Sequence, residues 1–257
     1  MRADVACATI RGAVKPQNED CVVVNATALC SGGFSGSFPV PFMVTVVDGV
    51  SAGGQGTRAA SIAASCLVEA FSRSTTSLGA LRPLRDVAMA ALDEAHAQMI
   101  ACGGAAGSAG PAAAVASAVF SGEGAVILHA GDARVYRLRQ GILARMTSDH
   151  TMVQELKDAG AAQEYLDQAN PHAITRALGV PSKRAHAADA AEAPVVLPGD
   201  VYLICSDGLS GFVPDDRLEA ILDGGGPLPE MARLLLDAAL EAGSTDNVSA
   251  ALARVSE

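Results

Sequence analysis

Five short apolar runs in this 257-residue chain begin or end in an aspartate. Residues 42–47 run into Asp48-Gly49, residues 201–205 pass through Ser206 into Asp207-Gly208, and residues 126–130 lead to Gly131-Asp132. Glu19-Asp20 opens onto residues 21–24, and Asp246-Asn247 onto residues 248–255. If the runs are strands, chain direction reverses at each turn, so starts and ends can share one rim. Asp20, Asp48, Asp132, Asp207 and Asp246 would then form a carboxylate cluster. Carboxylates that close repel one another and resist desolvation unless they are protonated, paired with bases or held by cations. Only Asp132 has a basic residue nearby, Arg134. Oxygen donors alone select hard cations such as Mg²⁺ or Mn²⁺, and the five histidines contain no HxxxH pair that would indicate zinc. The plainer alternative is turn chemistry: Asp-Gly is a common turn dipeptide, and each acid could simply end its strand.

The elements that must position these acids are legible as well. The apolar runs are too short for buried helices and rich in valine and isoleucine, as strands are. Residues 134–139 alternate, with Tyr136 and Leu138 on one face. Gln140-Gly141 interrupts before residues 142–146 resume, which predicts a hairpin. Leu84, Val87, Ala91, Leu92, Ala95 and Met99 recur at helical spacing behind Pro83, residues 55–71 form an alanine-rich helix candidate, and a late helix follows Pro229 with Gly243 as its stop. Strands are grouped and helices come in pairs, which suggests packed antiparallel sheets with helices outside. Residues 31–37 and 103–110 are Gly/Ser-rich and are expected to be loops. Neither looks like a domain boundary, and the chain is expected to be one domain.

Composition narrows the class. Half the residues are hydrophobic and 18% are charged, which excludes a disordered chain. Aromatics make up 4%, tryptophan is absent, and the formal net charge is −10, so nucleic acid and anionic membranes are poor partners. Six cysteines show no CxxC pair and sit mostly in apolar segments, as reduced thiols do. No apolar run is long enough for a membrane span, and Arg2, Asp4 and Arg11 occupy the place of a signal peptide's apolar stretch. A soluble cytoplasmic protein is expected.

Taken in order, Lys15-Pro16-Gln17-Asn18-Glu19-Asp20, Val47-Asp48-Gly49, Ala130-Gly131-Asp132-Ala133-Arg134-Val135-Tyr136-Arg137, Thr147-Ser148-Asp149-His150-Thr151, Ile174-Thr175-Arg176-Ala177-Leu178-Gly179, Gly199-Asp200 with Cys205-Ser206-Asp207-Gly208-Leu209-Ser210, and Thr245-Asp246-Asn247-Val248 resemble the successive motifs of the protein phosphatase 2C family, in its compact bacterial form. The resemblance spans about residues 5–255. It implies an α+β fold, a four-layer α-β-β-α sandwich of two antiparallel sheets flanked by helices, forming a single catalytic domain over residues 1–257. It further implies a metal-dependent protein serine/threonine phosphatase in which metal-bound hydroxide attacks phosphoserine or phosphothreonine. By the same resemblance, Asp48 bridges two Mg²⁺ or Mn²⁺ ions, the Gly49 carbonyl binds one, and Asp207 and Asp246 bind the other. Glu19 and Asp20 would hold metal-bound waters, and Asp132 would serve a weaker third metal. Phosphorylated proteins, a cognate serine/threonine kinase and its substrates are the implied partners.

The chain departs from the family pattern at five places. Lys15 stands where an arginine usually grips phosphate, and a lysine is a point charge without the bidentate fork. After Asp48-Gly49 the glycines are displaced, in Val50-Ser51-Ala52-Gly53-Gly54. Val50 replaces a histidine that some members offer as general acid, and Ala112-Ala113-Ala114 replaces a frequent Thr-Thr pair. Gly211 replaces an acid that helps hold the third metal, which predicts two tight sites and one weak one. These departures motivate a rival reading, a pseudophosphatase that binds or scaffolds phosphoproteins. A hydrolase of a small phosphorylated metabolite is a third. Residues 151–173, with a short amphipathic helix ending at Gly160, correspond to the family's mobile flap. His150 is expected to be a hydrogen-bonded turn residue, Arg134 to pair with Asp132 or a neighbouring carboxylate, and Cys205 to be an inert thiol; Arg176 has no assigned role.

Overall fold

The apolar runs are strands covered on both faces, which is why they read as continuous rather than alternating. In the computed structural model, which describes residues 1–50, 54–74, 80–103, 110–170, 172–182, 184–193 and 195–257, the strand β5 (Phe42–Gly49) illustrates this. Phe42, Val44 and Val46 point into one apolar cluster, while Met43 and Val47 point into another. Period-two geometry makes that split obligatory.

Two six-stranded sheets, antiparallel throughout, stack face to face. The first runs β4-β1-β12-β11-β8-β9, from β1 (Arg2–Ile10), β4 (Gly32–Pro39), β8 (Arg134–Arg139), β9 (Ile142–Arg145), β11 (Val201–Cys205) and β12 (Val248–Ser256). The second runs β10-β7-β6-β5-β2-β3, from β2 (Asp20–Val24), β3 (Thr27–Leu29), β5, β6 (Ala113–Ser121), β7 (Gly124–Ala130) and β10 (Asp189–Ala193). The long helices α1 (Gly56–Ser74) and α2 (Leu81–Cys102) cover the outer face of the second sheet, through Leu67, Phe71, Leu84, Leu92 and Met99. On the first sheet, α6 (Asp215–Asp223) and α7 (Leu228–Glu241) do the same through Leu218, Met231 and Leu235. The expected four-layer α-β-β-α sandwich is the fold.

Local chemistry explains most boundaries. Gln140 and Gly141 both take positive φ, 52° and 77°, the requirement of a two-residue turn between β8 and β9. A proline at the first turn opens α7, and Gly243, at φ 82°, follows its end. Thr151 caps the short α3 (Met152–Asp158), its hydroxyl accepting the Gln154 N–H at 3.3 Å. Neither α3 nor α4 (Gln163–Gln168), which together carry the expected flap, buries a side chain.

Residues 31–37, expected as a loop, are not one. They supply most of β4, an edge strand paired with β1 from Arg2↔Pro39 to Thr9↔Gly32. The ladder is made by backbone groups, so glycine and serine can sustain it, and Phe34 and Phe38 anchor it to the layer between the sheets. Of the connector at 103–110, residues 104–109 lie outside the described residues, as do 51–53 of the loop after Asp48-Gly49.

Candidate metal centre

Strand pairing alone brings the first two acids together. In the β2–β5 ladder Asp20 lies directly opposite Asp48. Each continues the face that its strand turns toward the other sheet: Asp20 with Val22 and Val24, Asp48 with Val44 and Val46. The apolar layer between the sheets therefore ends in two carboxylates. From the facing sheet, Ser206 extends the inward face of Ile204, and Ser249 that of Ala251 and Ala253. Their hydroxyls donate to Asp20 Oδ2 at 2.9 and 2.6 Å. Asp20 is 1% exposed, and its Oδ1 accepts no hydrogen bond.

The remaining acids arrive through close backbone crossings. Gly208 packs on Asn247 so tightly that a Cβ there would lie 1.9 Å from the Asn247 carbonyl oxygen, which sets Asp207, the first residue of the short α5 (Asp207–Ser210), beside Asp246. Gly12, at φ 73°, lies against the Asp246 carbonyl in the same way. Asn247 spends its whole amide on this corner. Its Oδ1 accepts the Glu19 N–H at 2.9 Å, and its Nδ2 donates to the carbonyls of Arg11 and Gln17. The Gly49 N–H donates to the Glu19 carbonyl at 3.1 Å, and a Cβ on Gly49 would meet Gly56 backbone at 2.2 Å. The Glu19 carboxylate is seated against Gly56, the first residue of α1. Asp132, 7% exposed, follows Gly131 in the loop after β7, and its Oδ1 also accepts nothing.

Electrostatics register the convergence. Burial, then the charges of Asp20, Asp207, Asp132 and Asp246, hold the Asp48 carboxyl well above the usual carboxylate range. Burial with Asp207 and Asp246 raises Asp20 to about 7, although Ser249 and Ser206 oppose it. Asp132 is raised to about 7 by burial, Asp207 and Asp149. Asp207 is raised by burial and Asp246, against a hydrogen bond with Asp48. Lys15 enters the rim with Nζ 2.8 Å from Asp246 Oδ1. Burial works against its charge, but Asp246, Asp48 and Glu19 outweigh it and raise the lysine above its ordinary value. Buried carboxylate oxygens without donors, crowded by like charge and offering only oxygen, fit hard divalent cations.

A second polar cluster lies close by on different terms. The His150 N–H donates to the Gly131 carbonyl at 2.9 Å, and His150 Nδ1 accepts the Gly131 N–H at 3.1 Å. With Nδ1 an acceptor, Nε2 carries the proton and donates to Asp189 Oδ2 at 3.1 Å. Arg176 donates to the other Asp189 oxygen at 2.7 Å and to the Ala187 carbonyl at 3.1 Å. The His129 ring stacks on His150 with centroids 4.5 Å apart, and its Nε2 donates to the Ser148 carbonyl at 2.8 Å. Ligand atoms of His129, His150 and Asp189 lie within 4.8 Å of one another. A guanidinium already neutralises the carboxylate, however, and both His150 nitrogens are used. This is a clamp on the Gly131-Asp132 loop and not a metal site.

All eight residues expected at the site, Lys15, Glu19, Asp20, Asp48, Gly49, Asp132, Asp207 and Asp246, belong to this one end of the sandwich. Arg134 pairs with Asp149 at 2.7 Å, the neighbouring carboxylate, and not with Asp132. Cys205 is fully buried and its thiol is pushed up to about 12, as expected of an inert residue. Sequence reasoning missed Ser206 and Ser249 as the donors that fix Asp20, and missed Asp189 altogether. Only the pairing of strands across the sandwich could have revealed the serines.

The comparisons agree with this geometry. The family described as Protein phosphatase 2C matches residues 40–225. The serine/threonine phosphatase stp of Listeria monocytogenes serotype 4b (strain F2365) is 27% identical over 247 residues, 95% of this chain and 92% of that protein. The S. agalactiae serine/threonine phosphatase superposes with a TM-score of 0.81 at 21% identity, over 98% of this chain and 99% of that one, a likeness of fold. The catalytic domain of the serine threonine protein phosphatase PstP, solved in complex with two manganese ions, gives a TM-score of 0.74 at 28% identity over 100% of both chains. A carboxylate rim at the end of a double sheet and a family match over most of the sequence lead to one conclusion: the chain belongs to the protein phosphatase 2C family.

Proposed function

We propose that the rim is the catalytic centre of a metal-dependent protein serine/threonine phosphatase, formed by residues 1–257 as one catalytic domain. The observation that carries this reading is the meeting of Asp20, Asp48, Asp132, Asp207 and Asp246 at one end of the sandwich, where Asp20 Oδ1 and Asp132 Oδ1 are buried and accept no hydrogen bond. Asp48 would be shared between two Mg²⁺ or Mn²⁺ ions, the Gly49 carbonyl would serve one, and Asp207 and Asp246 the other. Glu19 and Asp20 complete the acid cage, and Asp132 would serve a weaker third site because Gly211 offers no acid. The two manganese ions bound by the PstP catalytic domain support a two-ion centre. Bound divalent cations supply acidified water and a charge clamp for in-line displacement at phosphorus.

The chain's own residues do the positioning. Ser206 and Ser249 hold Asp20 in one orientation, and Asn247 ties Glu19 to the start of β12. Lys15 places an ammonium at the rim, where it can neutralise a phosphoryl oxygen. Val50 offers no acid, so the leaving alkoxide takes its proton from water. Phosphorylated proteins are the substrates, and a cognate serine/threonine kinase in the cytoplasm with its targets completes the circuit. The net charge of −10 argues against nucleic acid.

Release of inorganic phosphate from a phosphothreonine peptide, with and without Mn²⁺, tests the reading. Turnover that appears with Mn²⁺ and disappears with EDTA is expected. Asp207→Asn should lower kcat by on the order of 10²-fold or more with the circular dichroism spectrum unchanged. No turnover with Mn²⁺ above the buffer background would sink it.

A further inference from the structure

The β2–β3 hairpin carries a feature that phosphate hydrolysis does not use. Its register pairs Val22 with Leu29 and Val23 with Ala28, so one step further Cys21 faces Cys30. Their Sγ atoms are 2.6 Å apart. Directly opposed residues of antiparallel strands have Cα atoms about 4.5–5.5 Å apart, inside the range that a disulfide spans. The two thiols differ in access. Cys21 is fully buried on the face turned toward α1, whereas Cys30 is exposed. A cavity of about 210 Å³ opens onto both, walled by the small side chains of Ala28, Ser61, Ala64 and Ser65. Cys30 is also the more acidic thiol, drawn down to about 7 chiefly by its hydrogen bond with Cys21.

We propose that Cys21 and Cys30 form a reversible disulfide under peroxide, closing the mouth of the hairpin that carries Glu19 and Asp20. The exposed Cys30 thiolate attacks one peroxide oxygen, the O–O bond breaks, and hydroxide leaves to be protonated as water. Cys30 is then a sulfenic acid. The Cys21 sulfur attacks it, loses its proton and expels the hydroxyl as a second water. Two thiols are oxidised by two electrons, and one hydrogen peroxide is reduced to two waters. A dithiol reverses the bond by exchange. The crosslink adjoins the acid rim: Cys21 follows Asp20, and the Cys30 carbonyl accepts Asn18 Nδ2 at 2.9 Å while Asn18 Oδ1 accepts the Asp20 N–H at 3.3 Å.

The test needs no phosphatase assay. The full-length protein is treated with hydrogen peroxide, denatured, alkylated with iodoacetamide and mapped by mass spectrometry, with Cys102 as an internal reference thiol. The expected result is a linked Cys21–Cys30 peptide two hydrogens lighter than its parts, recovered as two alkylated cysteines after dithiothreitol. Cys30→Ser and Cys21→Ala should each abolish it. Alkylation of both cysteines as full as that of Cys102, Cys30 driven to sulfinic acid without a link, or disulfides only between chains would each overturn the proposal.

Discussion

The acid rim and the His150–Arg176–Asp189 clamp flank the same Gly131-Asp132 loop and draw on similar residue types, yet they answer opposite electrostatic problems. At the clamp, the Arg176 guanidinium at 2.7 Å, the Arg184 guanidinium at 3.7 Å and one neutral imidazole meet one carboxylate, and Asp189 is held down at about 2, first by the Arg176 hydrogen bond. At the rim, four carboxylates are raised above their ordinary range, although Lys15 stands against Asp246 and Arg134 partly offsets the charge at Asp132. The difference teaches how the fold separates stability from function. The clamp is closed by the chain's own charges, whereas the rim is held together by the sheets against repulsion that, on the proposed function, divalent ions from solution would relieve. The sheets supply the rigidity that keeps the acids together.

The largest effect should follow from removing one rim charge. Asp48→Asn is expected to lower Mn²⁺-dependent turnover by on the order of 10²-fold or more. In the metal-free protein the same substitution should raise the melting temperature, because it deletes a buried like charge. Calorimetry in EDTA, then with Mn²⁺, checks both signs. Wild type should gain stability with Mn²⁺ by mass action, about 2.7 kcal/mol at a hundredfold excess over Kd, and the variant should gain far less. A variant that melts lower than wild type in EDTA would show that repulsion among the rim acids does not govern the stability of the metal-free protein.

A smaller effect should follow from loosening an acid while keeping its charge. Ser206→Ala and Ser249→Ala each remove one donor to Asp20 Oδ2. Each should weaken Mn²⁺ binding by roughly 10–100-fold, the usual cost of losing an outer hydrogen bond at a metal site. Isothermal titration with Mn²⁺ reads this directly. Affinity unchanged in both variants would mean that the strands alone orient Asp20.

The contrast between the regions also explains what the sequence disclosed. The rim was legible because each acid sits at the end of an apolar run, so strand periodicity and acid position coincide, as at Asp48 and Asp207. Packed antiparallel sheets with helices outside followed from the same runs, and the four-layer arrangement from the family resemblance. β6 was harder to see, because alanine and serine dominate Ala113–Ser121 where it lies between β5 and β7. β4 was misread because its ladder depends on backbone and not on side-chain type. The clamp was invisible for another reason. Arg176, Asp189 and His150 come from three segments without periodicity, and β10, which bears Asp189, reads Asp-Ala-Ala-Glu-Ala. Contacts made only by tertiary assembly leave no local trace.

At the clamp the sign should invert relative to the rim. Asp189→Asn leaves Arg176, 8% exposed at its side chain, without its charged partner. Because Asp189 itself is 46% exposed, the loss should be about 1–2 kcal/mol rather than the larger cost of a fully buried pair. Urea denaturation checks it, and a stabilised variant would erase the distinction between the two regions.

The smallest expected effect is a pH dependence confined to the clamp. Burial first, then the charges of His129 and Arg176, lower His150 to about 4, with Asp189 only partly opposing them. The folded pKa therefore lies below the unfolded value near 6.5. Between those values the unfolded chain binds the additional proton, so stability falls as pH drops from about 6.5 toward 4. The Asp189 contribution has its own window: it is complete above about 4 and is lost only as pH falls toward 2. Rim acids titrate too, which makes the absolute curve of the wild type ambiguous. The difference between wild type and His150→Asn removes them, because both proteins carry the same rim. That difference should be flat above about pH 6.5 and shrink by on the order of 1 kcal/mol by pH 4, as His150 alone becomes costly to keep neutral. A difference that stays constant across the interval would mean that the imidazole is protonated as readily in the clamp as in the unfolded chain.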